Sequence, residues 1–199
     1  MTAAGTASPP AGRVAGRLQT IVVIVMSVIV LGTLAYVASG PGAADALTQV
    51  ELTGDTSGKI PVPGDVPPAF SAVDYNGAPV SLADYAGKPV WLTFGASWCP
   101  DCRTEAPDVQ AMYEANRDKG LVVLGVFINE TASEVAQYAD RAGLTFPIAV
   151  DPNADIAAAY RSMGIPTHFF IGSDGKVREV RIGALSSDDM ARAVAAIMN

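Results

Sequence analysis

Cysteine and histidine are scarce in this 199-residue chain, which has two cysteines, Cys99 and Cys102, and one histidine, His168. A structural zinc site needs four ligands, usually two cysteine pairs or cysteines with histidines, and this set is too small. We therefore predict no metal site. An excess of basic residues is also lacking, because the formal net charge is −7. The composition thus gives no electrostatic footprint for nucleic-acid binding.

Charge is absent between Arg17 and Asp45, and this stretch contains the apolar run Ile21–Ala38. At about 1.5 Å per residue, the run nearly spans the hydrocarbon core of a bilayer. Arginines precede it and acidic residues follow it, so the positive-inside rule leaves residues 1–17 in the cytoplasm. We predict a single-pass cell-membrane anchor over residues 18–39, with the rest of the chain outside the cytoplasm.

A cleaved signal peptide is the alternative interpretation of this segment. The sequences "VAS" (37–39) and "ADA" (44–46) could be cleavage sites, but the apolar run is longer than the 7–15 residues typical of a signal peptide. No cysteine lies nearby, which excludes a lipidated cysteine. Residues 40–66 are rich in glycine, proline and small polar residues and are predicted to form a flexible linker. Residues 67–199 are then the folded domain.

Strand and helix patterns alternate along this domain. The apolar runs "KPVWLTFGA" and "GLVVLGVFIN" predict buried strands, and "TASEVAQYADRAG" predicts a helix with a capping box at Thr131 and Glu134. The turn signals "NG" and "GSDG" predict two hairpins. The pattern predicts an α/β fold with a mixed central sheet flanked by helices. Such a domain has a core without help from a disulfide.

The two cysteines fall where a buried strand gives way to a helix. Unpaired N–H groups and the helix dipole at this junction stabilise a thiolate at Cys99. Pro100 suits the first helical turn, where its missing N–H costs nothing. We therefore expect Cys99 to be the exposed attacking sulfur and Cys102 to be the shielded resolving one. A structural disulfide is the weaker alternative, because it would close a very small loop and add little stability.

Three motifs together resemble the thioredoxin-like fold. They are "WCPDC" at Trp98–Cys102, "MGIPTHFFI" at 163–171 and "GSDGKV" at 172–177. With the preceding anchor and the lead-in "FSAVDYNGAPVSLADYAGKPVWLTF", the chain is most similar to membrane-anchored thiol-disulfide oxidoreductases of the TlpA/ResA type. The resemblance implies a cis peptide bond at Ile165–Pro166, packed against the cysteines, and a substrate segment that pairs with the backbone of Ile165.

The resemblance also implies roles for the neighbours of the cysteine pair. Trp98, Pro100 and Asp101 join Ile165 and Pro166 as expected substrate-binding residues. Trp98 is expected to pack beside the pair and restrict solvent, with a plain core aromatic as the alternative.

One position departs from thioredoxins proper, which carry a buried acid where this chain has Thr93. Glu105, one helical turn beyond Cys102, matches an acid of ResA-type proteins and is expected to take the proton of Cys102 during exchange. A solvated helix glutamate is the alternative for Glu105. For His168, a packing or surface role and a role in tuning the site both stay open.

The expected activity is reduction of disulfides in exported proteins, including those of cytochrome c maturation. Electrons would come from a membrane thiol carrier, and no cofactor is expected beyond the redox-active Cys99–Cys102 disulfide. A disulfide-forming oxidase is the main alternative. Two others are weaker. Copper-binding assembly factors of this fold separate their cysteines by three residues, and peroxiredoxins carry a threonine where this chain has Ala96.

Overall fold

The computed structural model describes residues 21–33, 50–53 and 59–199. Within an N-terminal unit, Met1–Ala43, residues 21–33 form helix α1, and all its side chains are exposed. Among the described residues, no helix combines the length and the apolar character needed to cross a bilayer. Residues 18–20 and 34–39 of the predicted anchor lie outside the described residues, so the anchor stays a prediction.

Three short strands form an antiparallel sheet in the second unit, Ala44–Asn199. Asp74 shapes the predicted "NG" hairpin, because its carboxylate accepts hydrogen bonds from the backbone N–H groups of Asn76 and Ala78, both at 2.8 Å. Gly77 takes a φ of +82°, which favours glycine in this turn. The strands are β1 (Glu51–Thr53), β2 (Ala69–Val73) and β3 (Pro79–Ser81).

The segment predicted as a linker contributes to this sheet. Of residues 40–66, the structure describes 50–53 and 59–66, and β1 pairs with β2 from within that segment. The N–H of Gly64 also donates to the carbonyl of Val177 at 2.8 Å. Regular structure therefore begins before residue 67, and the domain boundary there stays a prediction.

A five-stranded mixed sheet is the centre of the second unit. Its strands are β4 (Val90–Gly95), β5 (Val122–Ile128), β6 (Ile148–Asp151), β7 (Thr167–Ile171) and β8 (Val177–Ile182). Their order is β6-β5-β4-β7-β8. The first three are parallel to one another, whereas β7 is antiparallel to β4, and β8 is antiparallel to β7. The predicted α/β fold with a mixed sheet is confirmed.

Four helices accompany the sheet: α2 (Pro100–Asn116), α3 (Ala132–Ala142), α4 (Asp155–Ala159) and α5 (Ser187–Met198). Helix α2 ends at Asn116 and continues as a 3-10 turn over Arg117–Lys119. The predicted capping box of α3 is confirmed, because the N–H of Thr131 donates to the Glu134 carboxylate at 2.8 Å and the Thr131 hydroxyl accepts from the Glu134 N–H. The Thr131 N–H and the Thr131 hydroxyl both donate to the Glu134 carboxylate and hold its pKa below the usual value.

Side chains of the central strands alternate between two apolar layers. One layer packs against β2, β3 and α4, and the other packs against α2, α3 and α5. Neighbours in β4 show the alternation, since Leu92 and Phe94 enter the first layer and Trp91 enters the second. Thr93 is therefore placed on the second face, beneath the helix that begins at the cysteines.

Candidate active site

Cys99 and Cys102 lie at the junction between strand β4 and helix α2. Cys99 is the N-cap of α2, Pro100 opens its first turn, and the Cys99 sulfur accepts a hydrogen bond from the Cys102 N–H at 3.1 Å. The two cysteines form a disulfide. The predicted placement at a helix N-terminus is confirmed. That placement points a backbone N–H at the sulfur that would carry charge when reduced.

The exposure expected of Cys99 is wrong for the disulfide form. Its side chain is only 3% exposed and that of Cys102 is 7% exposed. The physical reason is local packing, because the disulfide holds the two cysteines in a small apolar cluster with Ala96 and the half-buried Ile165. Pro100 and Asp101, between the cysteines, are both exposed.

A cis peptide bond joins Ile165 and Pro166 beside the cysteines, as the resemblance implied. The Cys99 sulfur lies 3.8 Å from the Ile165 carbonyl oxygen. Two hydrogen bonds fix this segment, from the Thr167 hydroxyl to the Gly164 carbonyl at 2.6 Å and from the Gly183 N–H to the Pro166 carbonyl at 2.8 Å. The chain thus brings the backbone before β7 to the redox pair.

Trp98 is 55% exposed and lies outside the apolar cluster that encloses the cysteines. The alternative of a core aromatic is therefore wrong, whereas packing beside the cysteine pair stays a prediction. The core tryptophan is Trp91, which is fully buried. Trp98 instead displays a large apolar side chain on the surface, one residue before Cys99.

Glu105 is buried one turn after Cys102, with 5% of its surface exposed. Its Oε2 accepts a hydrogen bond from the Leu185 N–H at 3.2 Å. The alternative of a solvated glutamate is therefore wrong. Cys102 and Glu105 line a common cavity of about 20 Å³, which is large enough for one water molecule. A proton could pass between the two side chains through such a water.

His168, on β7, is fully buried and lies close to Glu105. Its Nε2 lies 3.5 Å from Glu105 Oε2. Its Nδ1 lies 3.0 Å from the Thr93 hydroxyl and accepts from the Trp91 indole N–H at 3.3 Å. A surface role for His168 is therefore wrong. The sequence left its side open because the strand run "THFFI" is buried on both faces.

Glu130 is a site residue that the sequence analysis missed. Its carboxylate is 4% exposed and accepts from the Ser97 N–H at 2.7 Å, and also from the Ser97 hydroxyl. It therefore anchors the loop that leads into Cys99. One signal was available in the sequence. Strands β4 and β5 are parallel, so Glu130, just after β5, lies at the same end of the sheet as the cysteines that follow β4.

Comparisons with known proteins agree with this geometry. A family model described as the AhpC/TSA family matches residues 63–180. Over 129 residues, the chain is 34% identical to "Thiol-disulfide oxidoreductase ResA" of Geobacillus kaustophilus. The matched region covers 65% of this chain and 74% of that relative.

Solved structures of proteins that are named for disulfide exchange are also similar to this chain. A thiol:disulfide interchange protein of the thioredoxin family from Chlorobium tepidum has a TM-score of 0.62 and 31% identity, over 71% of this chain and 99% of that one. A secreted Mycobacterium tuberculosis disulfide oxidoreductase, homologous to E. coli DsbE, has a TM-score of 0.58 and 28% identity, over 64% and 95%. This chain therefore belongs to the AhpC/TSA family, with a thioredoxin-like fold, and is a thiol-disulfide oxidoreductase of the ResA/DsbE type.

Proposed function

We propose that this protein is tethered to the cell membrane and reduces disulfides of exported proteins outside the cytoplasm, including those of cytochrome c maturation. The observation that carries the proposal is the Cys99–Cys102 pair at the N-terminus of α2, with Cys99 Sγ 3.8 Å from the carbonyl of Ile165. A thiol pair at a helix N-terminus beside a backbone segment suits attack on an extended disulfide-bearing chain.

The first step is attack by the reduced Cys99. Its thiolate attacks one sulfur of the partner disulfide, an enzyme–partner disulfide forms, and the other partner sulfur leaves as a thiolate that takes a proton. The N–H of Cys102, 3.1 Å from the Cys99 sulfur, supports the attacking charge. The partner chain docks on Ile165 and Pro166, with the exposed side chains of Trp98, Pro100 and Asp101 around the entrance.

The second step releases the partner. Glu105 takes the thiol proton of Cys102, and the resulting thiolate attacks the Cys99 sulfur. The enzyme disulfide forms, and the second partner sulfur leaves as a thiolate that takes a proton from Glu105 or from solvent. Two electrons have then passed from the enzyme to the partner, and a membrane thiol carrier returns them. The cavity shared by Cys102 and Glu105 supports this proton route.

The site of action rests on the N-terminal segment and on the relatives. The apolar run Ile21–Ala38 is preceded by arginines, which favours a cytoplasmic N-terminus. One structural relative is described as secreted. Disulfide exchange with folded partners also suits an oxidising compartment.

Reduction of insulin disulfides tests the activity. The wild-type chain, supplied with dithiothreitol, should accelerate insulin precipitation, and Cys99→Ser should lose this acceleration. Thr104→Ala is a matched control, because Thr104 is exposed on the same helix turn. Full activity of Cys99→Ser would overturn the proposal.

Cell fractionation of the full chain tests the tether, and thiol trapping tests the direction. The wild type should stay in the membrane fraction, with residues 67–199 open to protease added outside the cytoplasm. Val25→Arg should weaken membrane retention, because a central arginine costs about 2.5 kcal/mol or more in a membrane helix.

Mostly reduced cysteines in intact cells support a reductase, whereas mostly oxidised cysteines would favour the disulfide-forming oxidase.

A further inference from the structure

We propose that His168 is a positioning residue that holds the Glu105 carboxylate ready to receive the proton of Cys102. This inference rests on the proposed function, because it concerns the proton step of that exchange. It assigns a role to the single histidine of the chain. The juxtaposition that carries it is His168 Nε2 at 3.5 Å from Glu105 Oε2, with both side chains buried.

The hydrogen bonds on the far side of the ring decide where its proton lies. The Trp91 indole N–H, 3.3 Å from Nδ1, can only donate. Nδ1 must then be the acceptor, and the neutral imidazole carries its proton on Nε2. The Thr93 hydroxyl, 3.0 Å from the same nitrogen, helps to fix the ring plane. Two residues of β4 thus favour the tautomer with its proton on Nε2, the nitrogen that lies 3.5 Å from Glu105 Oε2.

The Nε2–H has Glu105 as its evident partner. Among the described residues, Nε2 is a fully buried polar atom that makes no hydrogen bond, although a buried N–H without one is costly. The separation of 3.5 Å from Oε2 is slightly longer than a strong N–H···O bond. A small movement of the Glu105 side chain closes that bond when the carboxylate is charged.

Few other charged or titratable groups reach this place. Cys102 and Glu105 on α2 and Tyr138 on α3 line the cavity. Burial raises the pKa of Tyr138, although Arg103 lowers it in part, so Tyr138 stays neutral at physiological pH. On β8, Arg181 pairs in register with His168, but its side chain is exposed and pairs with Glu179. His168 is therefore the side-chain donor that faces the Glu105 carboxylate, in addition to the backbone N–H of Leu185.

As a consequence, the Glu105 carboxylate has the His168 Nε2–H as a fixed partner for its negative charge. Burial disfavours the charged form of a carboxyl group unless donors face it, and the Nε2–H adds a second donor to the Leu185 N–H. With the Nε2–H in place, Glu105 can be charged before the exchange and neutral after it. The histidine itself touches neither the partner disulfide nor either sulfur in this role.

The pH profile of insulin reduction tests the proposal in the full chain. His168→Phe should be about tenfold slower at pH 7, with its profile displaced by about one unit towards higher pH. The loss should disappear when Glu105→Gln is already present, because the two residues act in one step. His168→Gln keeps a side-chain N–H donor and should recover part of the lost rate. An unchanged profile in folded His168→Phe, or additive losses with Glu105→Gln, would overturn it.

Two further measurements guard against a variant that fails to fold. The ring ¹⁵N signals of a single histidine are unambiguous, and the wild type should show the Nε2-protonated tautomer. Trp91→Phe removes the donor to Nδ1 and should displace the pH profile in the same direction. The Nδ1-protonated tautomer in the wild type would overturn the proposal. A wild type that reduces no insulin would instead sink the proposed function and leave the tautomer to decide this inference.

Discussion

The carboxyl group of Glu105 is buried and has polar neighbours within the protein. The Leu185 N–H and the His168 ring contact the same oxygen, Oε2, and the carboxyl group shares a small cavity with Cys102. Contacts of this kind hold a proton acceptor in a fixed position. After the two cysteines, Glu105 is therefore the residue that contributes most to the proposed exchange.

Glu105→Gln should slow insulin reduction at pH 7 by about a hundredfold or more. The amide oxygen can still accept from the Leu185 N–H, so the fold should persist while the proton acceptor is lost. Steady-state rates, with circular dichroism as the check on folding, measure the effect. Glu114→Gln is the matched control, because Glu114 is exposed on the same helix. Equal rates in the two variants would contradict the role of Glu105.

Tyr160 gives a test of stability at the same scale. Its buried hydroxyl donates to the Pro68 carbonyl at 2.6 Å, and burial raises its pKa well above the usual value. Tyr160→Phe keeps the ring but leaves that carbonyl without its donor. The free energy of unfolding should fall by about 1–3 kcal/mol in urea titrations. A variant as stable as the wild type would show that the hydrogen bond contributes nothing.

The sequence predicts some site residues better than others for a physical reason. Cys99, Cys102 and Pro166 lie in short local motifs whose chemistry depends on neighbours along the chain. His168 and Glu130 act through contacts with distant residues, Glu105 and Ser97. Such contacts depend on strand register and packing, which a buried run of apolar residues does not specify. The strand–helix junction that contains Cys99 can be recognised from neighbouring residues, and it led us to expect an exposed sulfur. The residue that covers Cys99 is Ile165, which is distant in sequence and could not be predicted in the same way.

Among the structural elements, helix α4 has an unusual beginning. Its N-cap residue, Ala154, has a φ of +57° and a side chain that cannot cap. Asp151, at the end of β6, takes over by accepting from the N–H groups of Ile156 and Ala157 at 3.3 and 3.0 Å. Asp151 is fully buried, and its burial raises its pKa although these hydrogen bonds lower it in part.

This pKa shift predicts a pH dependence that Asp151→Asn should remove. A raised folded-state pKa means that the stability from this group is present below its unfolded value, near 3.8, and is lost as pH rises through the folded value. The wild type should therefore lose stability relative to Asp151→Asn between pH 4 and pH 7. Urea unfolding of both proteins at these two pH values measures the difference. A difference that is constant, or that changes the other way, would contradict the shift.

Elements with strong local signals are predicted well. The capping box of α3 and the apolar run of β4 are examples, because each is encoded within a few consecutive residues. Strand β1 was missed, since its three residues are exposed and become a strand only by pairing with β2. Structure that arises from pairing between distant segments is what the sequence patterns left out.

At the scale of the molecule, the disulfide contributes little to the fold. The sheet has apolar layers on both faces that do not depend on the cysteines, which are separated by only three positions. Loop closure of this size contributes no more than about 2 kcal/mol. Reduction with dithiothreitol should therefore leave the circular dichroism spectrum unchanged and lower the melting temperature only modestly. Unfolding on reduction would mean that the disulfide is structural.

The whole account depends on partner disulfides being exchanged at Cys99, with Cys102 completing the reaction. Trapping with insulin tests this most directly. Cys102→Ser should accumulate a covalent enzyme–insulin adduct, and peptide mapping by mass spectrometry should place the linkage at Cys99. Under the same conditions, Cys99→Ser should yield little adduct. An adduct at Cys102 in equal yield, or none in either variant, would contradict the account.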